Sequence, residues 1–210
     1  DGRRVDLVYR FWELFDMENV PVMKDLVRLV EEEKLVVTPP LKHFQEEKLS
    51  LALFWHNRLQ GFWEENLSRD ELELMRSVVP KTWILDPAPV PPGATVDGPP
   101  AQGKPLGEWM ELARASKKER ALVIKASGFH ETAWGARSVV VGDDVSSEQW
   151  IVALSGVLES FPQPLSVLQE FRKPVRLEHS VFTDDGSVEP MTGRLRLSPY
   201  FFVSGDKAKW

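Results

Sequence analysis

The period of the hydrophobic pattern changes along the chain, and each change predicts an element. Val5, Leu7, Val8 and Tyr9 form an apolar run that predicts a strand over 5–9. Met23, Leu26, Val27 and Val30 recur at helical spacing up to Glu33, and Leu35-Val36-Val37, stopped by Pro39-Pro40, predicts a short strand. From about Phe44 to Gln60 apolar residues occupy most sides, which predicts a buried helix ending near Gly61. Ser68 followed by Glu71 is a capping-box signature for a helix through Met75, and residues 82–85 read as the next strand. Strands and helices in alternation make residues 1–85 an α/β segment.

The pattern lapses between Asp86 and Gly107, where seven prolines and four glycines stand with no aromatic residue and little charge. Such a stretch builds no core of its own and is expected to be a long, mobile linker. Beyond it, over 108–210, the grammar is α+β with a mainly antiparallel sheet. A helix is expected near Trp109–Lys118, then strands at ALVIKA (121–126) and RSVVVG (137–142). A helix capped by Ser146 and Gln149 follows, with Trp150, Ile151, Leu154, Val157 and Leu158 on its apolar face. SVLQEF (166–171), VRLEHSVF (175–182) and GRLRLSPYFFV (193–203) read as strands, with a turn at Asp184-Asp185-Gly186. The fold class is therefore α/β followed by α+β.

Composition narrows the function classes. At 210 residues, 42% hydrophobic and 28% charged, the chain suits one large domain or two small ones. The absence of an eighteen-residue apolar run and of a secretory signal predicts a soluble protein, cytoplasmic, without a membrane partner. There is no cysteine, and four scattered histidines do not suggest a zinc site. A net charge of −6 argues against a general nucleic-acid surface. The opening DGRRVDLVYR reads like a cut made just ahead of a strand, so the chain is treated as a possible fragment.

Candidate chemistry gathers in ALVIKASGFHETAWGARSVVVG (121–142), where an apolar strand ends in Lys125, Gly128 and Gly135 bracket a loop, and an apolar strand returns. A polyphosphate suits such parts, because glycines let backbone N–H groups approach its oxygens and the lysine adds a point charge. A surface hairpin with a solvated lysine is the alternative. The hairpin is expected to cover a cleft against a second sheet that contains SVLQEF.

The order of the segments resembles the ATP-grasp superfamily, in its circularly permuted branch that includes glutathione synthetase and glutathionylspermidine synthase. The residues that carry the resemblance are VDLVYR, TPPLKHFQEEKLSLAL, the hairpin, the helix over 147–160 and SVLQEF, so it spans nearly the whole chain. It is closer still to bacterial members with a GF…AWG loop and a PYFFV strand. The chain departs from glutathione synthetase in lacking the glycine triplet of the lid. It also places Glu131 two residues further from the lysine than the family's loop glutamate.

The resemblance implies a nucleotide cleft between the α/β unit and the antiparallel sheet, with ATP and Mg²⁺ as cofactors. Lys125 and Lys48 would contact phosphates, Lys48 from a helix start whose dipole favours an anion. Gly128 and Gly135 would shape the lid, Gln169, Glu170 and Phe171 would frame adenine, and Glu178 would hold the ribose hydroxyls. Arg10 would grip a substrate carboxylate, and Glu131 would ligate metal. Each has a plainer counterpart: a solvated Lys48, a core Phe171, an exposed Glu178, a structural salt bridge at Arg10. His130 is either a substrate-orienting or a solvated loop histidine, and Trp134 stands at a lid tip with no core to join. The implied reaction is ligation of a small-molecule carboxylate to an amine through an acyl phosphate. A non-catalytic nucleotide-binding or scaffold protein, or an ATP-grasp kinase, are the alternatives. In the permuted family the chief metal ligands precede the segment resembling residues 5–9, so this chain by itself is expected not to turn over ATP.

Overall fold

In the computed structural model the chain forms two compact units, Asp1–Phe171 and Arg172–Trp210. Residues 2–127, 130–194, 197–205 and 207–209 are described, Ser204 and Lys209 by their backbone alone.

The first unit opens on strand β1 (Leu7–Tyr9), helix α1 (Met23–Glu31) and strand β2 (Val36–Thr38). The strands pair in parallel, Leu7 opposite Val36 and Tyr9 opposite Thr38. A parallel pair needs a crossover, which the 3-10 turn at Leu14–Asn19 and α1 supply. Met23, Leu35 and Val37 are buried, so the helical and strand periods read from sequence point the same way.

The single buried helix expected over 44–60 does not form. Helix α2 (Leu49–Trp55) stops at His56, whose backbone turns extended at ψ 126, and helix α3 (Gln60–Asn66) starts anew and runs through Gly61. His56 Nδ1 accepts from Arg58 N at 3.2 Å, and Gln60 Nε2 donates to the Phe54 carbonyl at 3.0 Å. Local side-chain bonds to backbone thus displace the continuous helical ladder. Helix α4 (Arg69–Val78) carries the expected capping box, with Ser68 N donating to Glu71 Oε2 at 2.8 Å and Glu71 N to Ser68 Oγ at 3.3 Å.

Strand β3 (Thr82–Ile84), β4 (Leu122–Ala126), β5 (Val140–Val141) and, after helix α5 (Ser147–Glu159), β6 (Ser166–Glu170) make one sheet in the order β3-β6-β4-β5. Every neighbouring pair is antiparallel. Two expectations change here. The hairpin strands and SVLQE share one sheet, so they do not face each other across a cleft. A boundary at 85 also divides β3 from the strand it pairs with.

Residues 86–107 contain neither helix nor strand, but they are docked rather than strung between domains. Ala101 and Leu106 are buried in the core, Val96 N donates to the Leu106 carbonyl at 2.8 Å, and Trp109 Nε1 donates to the Asp86 carbonyl at 2.8 Å. The few apolar groups of a polar stretch suffice when an existing core receives them. The helix expected near 109–118 is a 3-10 turn, Trp109–Arg114.

One face of the sheet, with Leu85, Leu122, Ile124 and Leu168, packs on Trp109, Leu112, Trp150 and Leu154. Trp150, fully buried, places its Nε1–H on the Leu112 carbonyl at 2.9 Å. Of the apolar face expected on α5, Ile151 is exposed while Val157 and Leu158 pack at the cluster's edge. The other face carries Thr82, Val123, Lys125, Val167 and Gln169, as the register and strand alternation require. Helix α2 packs against β3 and β6.

The second unit is a long antiparallel hairpin, β7 (Arg176–Phe182) with β8 (Val188–Arg194), and a short pair, β9 (Phe202–Ser204) with β10 (Lys207–Lys209). Asp184-Asp185-Gly186 makes the turn, Gly186 at φ +81. Of the strand expected over 193–203, residues 193–194 end β8 and 202–203 begin β9, while 195–196 lie outside the described residues. Among the described residues no helix is long and apolar enough to cross a membrane.

Candidate functional site

The hairpin of β4 and β5 and the start of α2 bring Lys125 and Lys48 together. Lys125 is the fourth residue of β4, half-buried, and its Nζ donates to Gln169 Oε1 at 2.6 Å. Gln169 in turn donates from Nε2 to Thr82 Oγ1 at 3.0 Å, and Thr82 Oγ1 donates to the Pro80 carbonyl at 3.0 Å. Lys48 immediately precedes α2, and its Nζ donates to the Ala133 carbonyl at 2.8 Å. The same ammonium lies 5.4 Å from the Trp134 ring centroid, a cation–π distance.

Two further contacts lock the hairpin loop to α2. Ser127, buried, donates from Oγ to Glu47 Oε2 at 2.6 Å and accepts from Leu49 N at 3.0 Å. Trp134 stacks on Phe15 with centroids 4.5 Å apart. Trp134 was expected to have no core to join; the 3-10 turn over 14–19 supplies Phe15 as its partner. The helix-start anion site expected at Lys48 is altered too, because α2 is seven residues long and its first amide already binds Ser127.

The positive charge of Lys48 acts on Lys125. Burial pulls the Lys125 ammonium below the ordinary lysine value of 10.5, and the nearby positive charge of Lys48 acts in the same direction. Burial also lowers Lys48, partly offset by Glu47. Neither lysine belongs to an ion pair among those described. With Glu47 offsetting Lys48 only in part, the pair keeps positive charge that can meet an anion.

The other expected residues fall into three groups. Arg10 is buried and internally committed: it donates from Nε to the Pro39 carbonyl at 2.8 Å and from NH1 to the Trp12 carbonyl at 2.7 Å, and its NH2 forms a salt bridge with Glu46. A substrate carboxylate would have to displace Glu46, so the geometry is that of the structural salt bridge. Gln169 faces Lys125, while Glu170 N and Phe171 N already donate to the Lys81 and Ala121 carbonyls at 2.8 and 2.9 Å. Those two amides are thus not presented to an adenine edge. Glu178 stands on β7 of the second unit, exposed and opposite Thr192.

In the loop, Gly128 lies outside the described residues. Gly135 adopts φ +62 with Arg137 Nε the nearest atom to a built Cβ at 3.9 Å, so conformation rather than crowding calls for glycine. Glu131 is exposed in a 3-10 turn over Glu131–Ala133. His130 Nδ1 caps that turn, accepting from Thr132 N at 3.3 Å. Among the described residues no three His, Asp or Glu side chains converge to hold a metal ion. Glu131 keeps its metal role only by resemblance. Cavities of about 460 and 380 Å³ lie along β3 and the proline-rich segment, lined by His56, Trp83 and Trp109 and by Trp55, Arg76 and Lys81 respectively; neither includes Lys48 or Lys125.

Ser127 and Thr82 escaped the sequence reading as site residues. A serine directly after the lysine-bearing strand is a weak signal, and nothing local marks the helix amide it caps. Compared with known proteins, the chain matches no protein-family model, no curated protein and no solved structure.

Proposed function

We propose that the first unit binds the polyphosphate of ATP at Lys48 and Lys125, as part of an ATP-dependent carboxylate–amine ligase of the ATP-grasp kind. The observation that carries this reading is the convergence of two half-buried ammonium groups beneath one loop. The hydrogen-bond acceptors of the two ammonium groups are the neutral Gln169 amide and the Ala133 carbonyl, and Glu47 offsets Lys48 only in part.

In the reaction this reading implies, a carboxylate oxygen attacks the γ-phosphorus of ATP and ADP leaves. The amine then attacks the acyl carbon, phosphate departs, and the nitrogen gives up a proton. Lys48 and Lys125 bind and orient the phosphates and balance their negative charge. Loop residues 130–139, held at Ala133 and Trp134, would keep water from the phosphates. Mg²⁺ carried by the triphosphate would supply charge neutralisation, and no residue here is assigned to hold it. Arg10 keeps the segment around Pro39 and Glu46 in place rather than touching substrate.

Calorimetric titration with MgATP and with tripolyphosphate tests the reading. Lys48→Ala and Lys125→Ala are each expected to weaken both ligands by about 1.5–3 kcal/mol, the scale of a charge-assisted hydrogen bond. Affinities unchanged in both variants would remove the phosphate assignment. ATP-dependent ADP release in the presence of pooled amino acids, peptides and polyamines then separates a ligase from a binding protein.

A further inference from the structure

The buried chain Pro80–Thr82–Gln169–Lys125 has no role in the reading above beyond holding a lysine, yet its polarity is fully determined. Thr82 Oγ1 spends its only hydrogen on the Pro80 carbonyl, so toward Gln169 it can only accept. That obliges Gln169 to present Nε2 to Thr82 and Oε1 to Lys125. Thr82 and Gln169 are 1% and 7% exposed, so no solvent competes for the arrangement. The strand register supports it independently: Thr82 stands opposite Gln169, and Gln169 opposite Val123, which puts all three side chains and Lys125 on one face.

We infer that Gln169 is a positioning residue for Lys125: a neutral acceptor, locked by Thr82, that aims the ammonium while leaving its charge uncancelled for an anionic ligand. A glutamate of the same length would reach the same atom but would neutralise it, and leucine would neither aim nor cancel. The charged groups around Lys125 fit this division. Lys48, ahead of α2, adds positive charge, and Glu47 beside it is engaged by Ser127. The inference rests on the phosphate reading for its ligand but not for its geometry.

The test uses two readouts on the whole chain. The first is the pH profile with which an amine-reactive reagent labels Lys125, followed by peptide mass spectrometry with no nucleotide present. The second is affinity for tripolyphosphate. Gln169→Glu is expected to move the labelling midpoint to higher pH, because an adjacent carboxylate favours the charged amine, and to weaken tripolyphosphate about tenfold or more. Thr82→Val, nearly isosteric, frees the amide to turn, and is expected to weaken tripolyphosphate by a smaller factor while broadening the orientation of Lys125. It also serves where the glutamate variant does not fold. An unchanged labelling profile in Gln169→Glu, or an unchanged tripolyphosphate affinity in folded Thr82→Val, overturns the positioning role. A shifted labelling profile in a protein whose wild type does not bind tripolyphosphate leaves the tether standing and sinks the phosphate reading instead.

Discussion

The two faces of the four-stranded sheet are built from the same strands and do different work. Against α5 the face is apolar, with Leu122, Ile124 and Leu168 meeting Trp150 and Leu154, and the indoles of Trp150 and Trp109 donate to the Leu112 and Asp86 carbonyls. Against α2 the face alternates Val123 and Val167 with Thr82, Gln169 and Lys125, joined by hydrogen bonds and holding a cation at a cost in desolvation. Hydrophobic burial stabilises in proportion to area and tolerates repacking, whereas a buried polar chain is sensitive to a single missing group. The first face therefore carries stability, and the second carries the proposed anion site.

The sharpest way to break this contrast is Trp150→Ala. Removing the fully buried indole is expected to cost about 3–5 kcal/mol in urea denaturation, as for other core aromatics. A loss no larger than that of a polar-face variant would show that the faces share the load. Next is Lys125→Met, which keeps length and removes charge. Stability should stay within about 1 kcal/mol of wild type while triphosphate binding falls by about 1.5–3 kcal/mol. Should stability fall and binding persist, the lysine is structural.

Ser127→Ala probes the seam between the hairpin and α2. It deletes both the cap on Leu49 N and the bond to Glu47, an expected cost of about 1–2 kcal/mol, readable as a lower melting temperature with slower effects on ligand affinity. A melting temperature matching wild type would mean the loop contributes nothing to holding α2. The smallest effect is the pH dependence. Lys48 and Lys125 lose protons below the ordinary value of 10.5 in the folded chain, so between their folded values and 10.5 the unfolded chain holds more protons. Their contribution to stability thus rises with pH through that window, while tripolyphosphate binding falls as the charges disappear. Opposite slopes, taken as wild type minus Lys125→Met at constant ionic strength, are the expected outcome; parallel slopes would contradict the lowered values.

What was legible in the sequence follows the range of the interaction. Capping boxes at Ser68–Glu71 and Ser146–Gln149, the apolar strand that carries Lys125 and the Asp-Asp-Gly turn are local, and each forms where its residues predicted. The break at His56 is local too, but it depends on a histidine capping the next turn, a use its residue type does not announce. Docking of 86–107 was hidden because Ala101 and Leu106 are ordinary residues until a core exists to receive them. At the site the two lysines could be named one by one, whereas the tether of Lys125 to Gln169 and Thr82 depends on strand register that only the assembled sheet supplies. Arg10 could be placed at a strand end, and its partner Glu46 could not.

The strand order β3-β6-β4-β5 also dictates a timetable. β6 is synthesised last of the four and must insert between two strands made earlier, pairing Thr82 with Gln169 on one side and Leu122 with Glu170 on the other. Until residue 170 has left the ribosome, β3 and β4 have no shared neighbour and expose unpaired backbone edges and apolar side chains. Long-range pairing of this kind is slow, and waiting edges invite the wrong partner. The nascent chain is thus most vulnerable to aggregation between the emergence of β4 and that of β6, and the lysine pair comes together only when that interval closes.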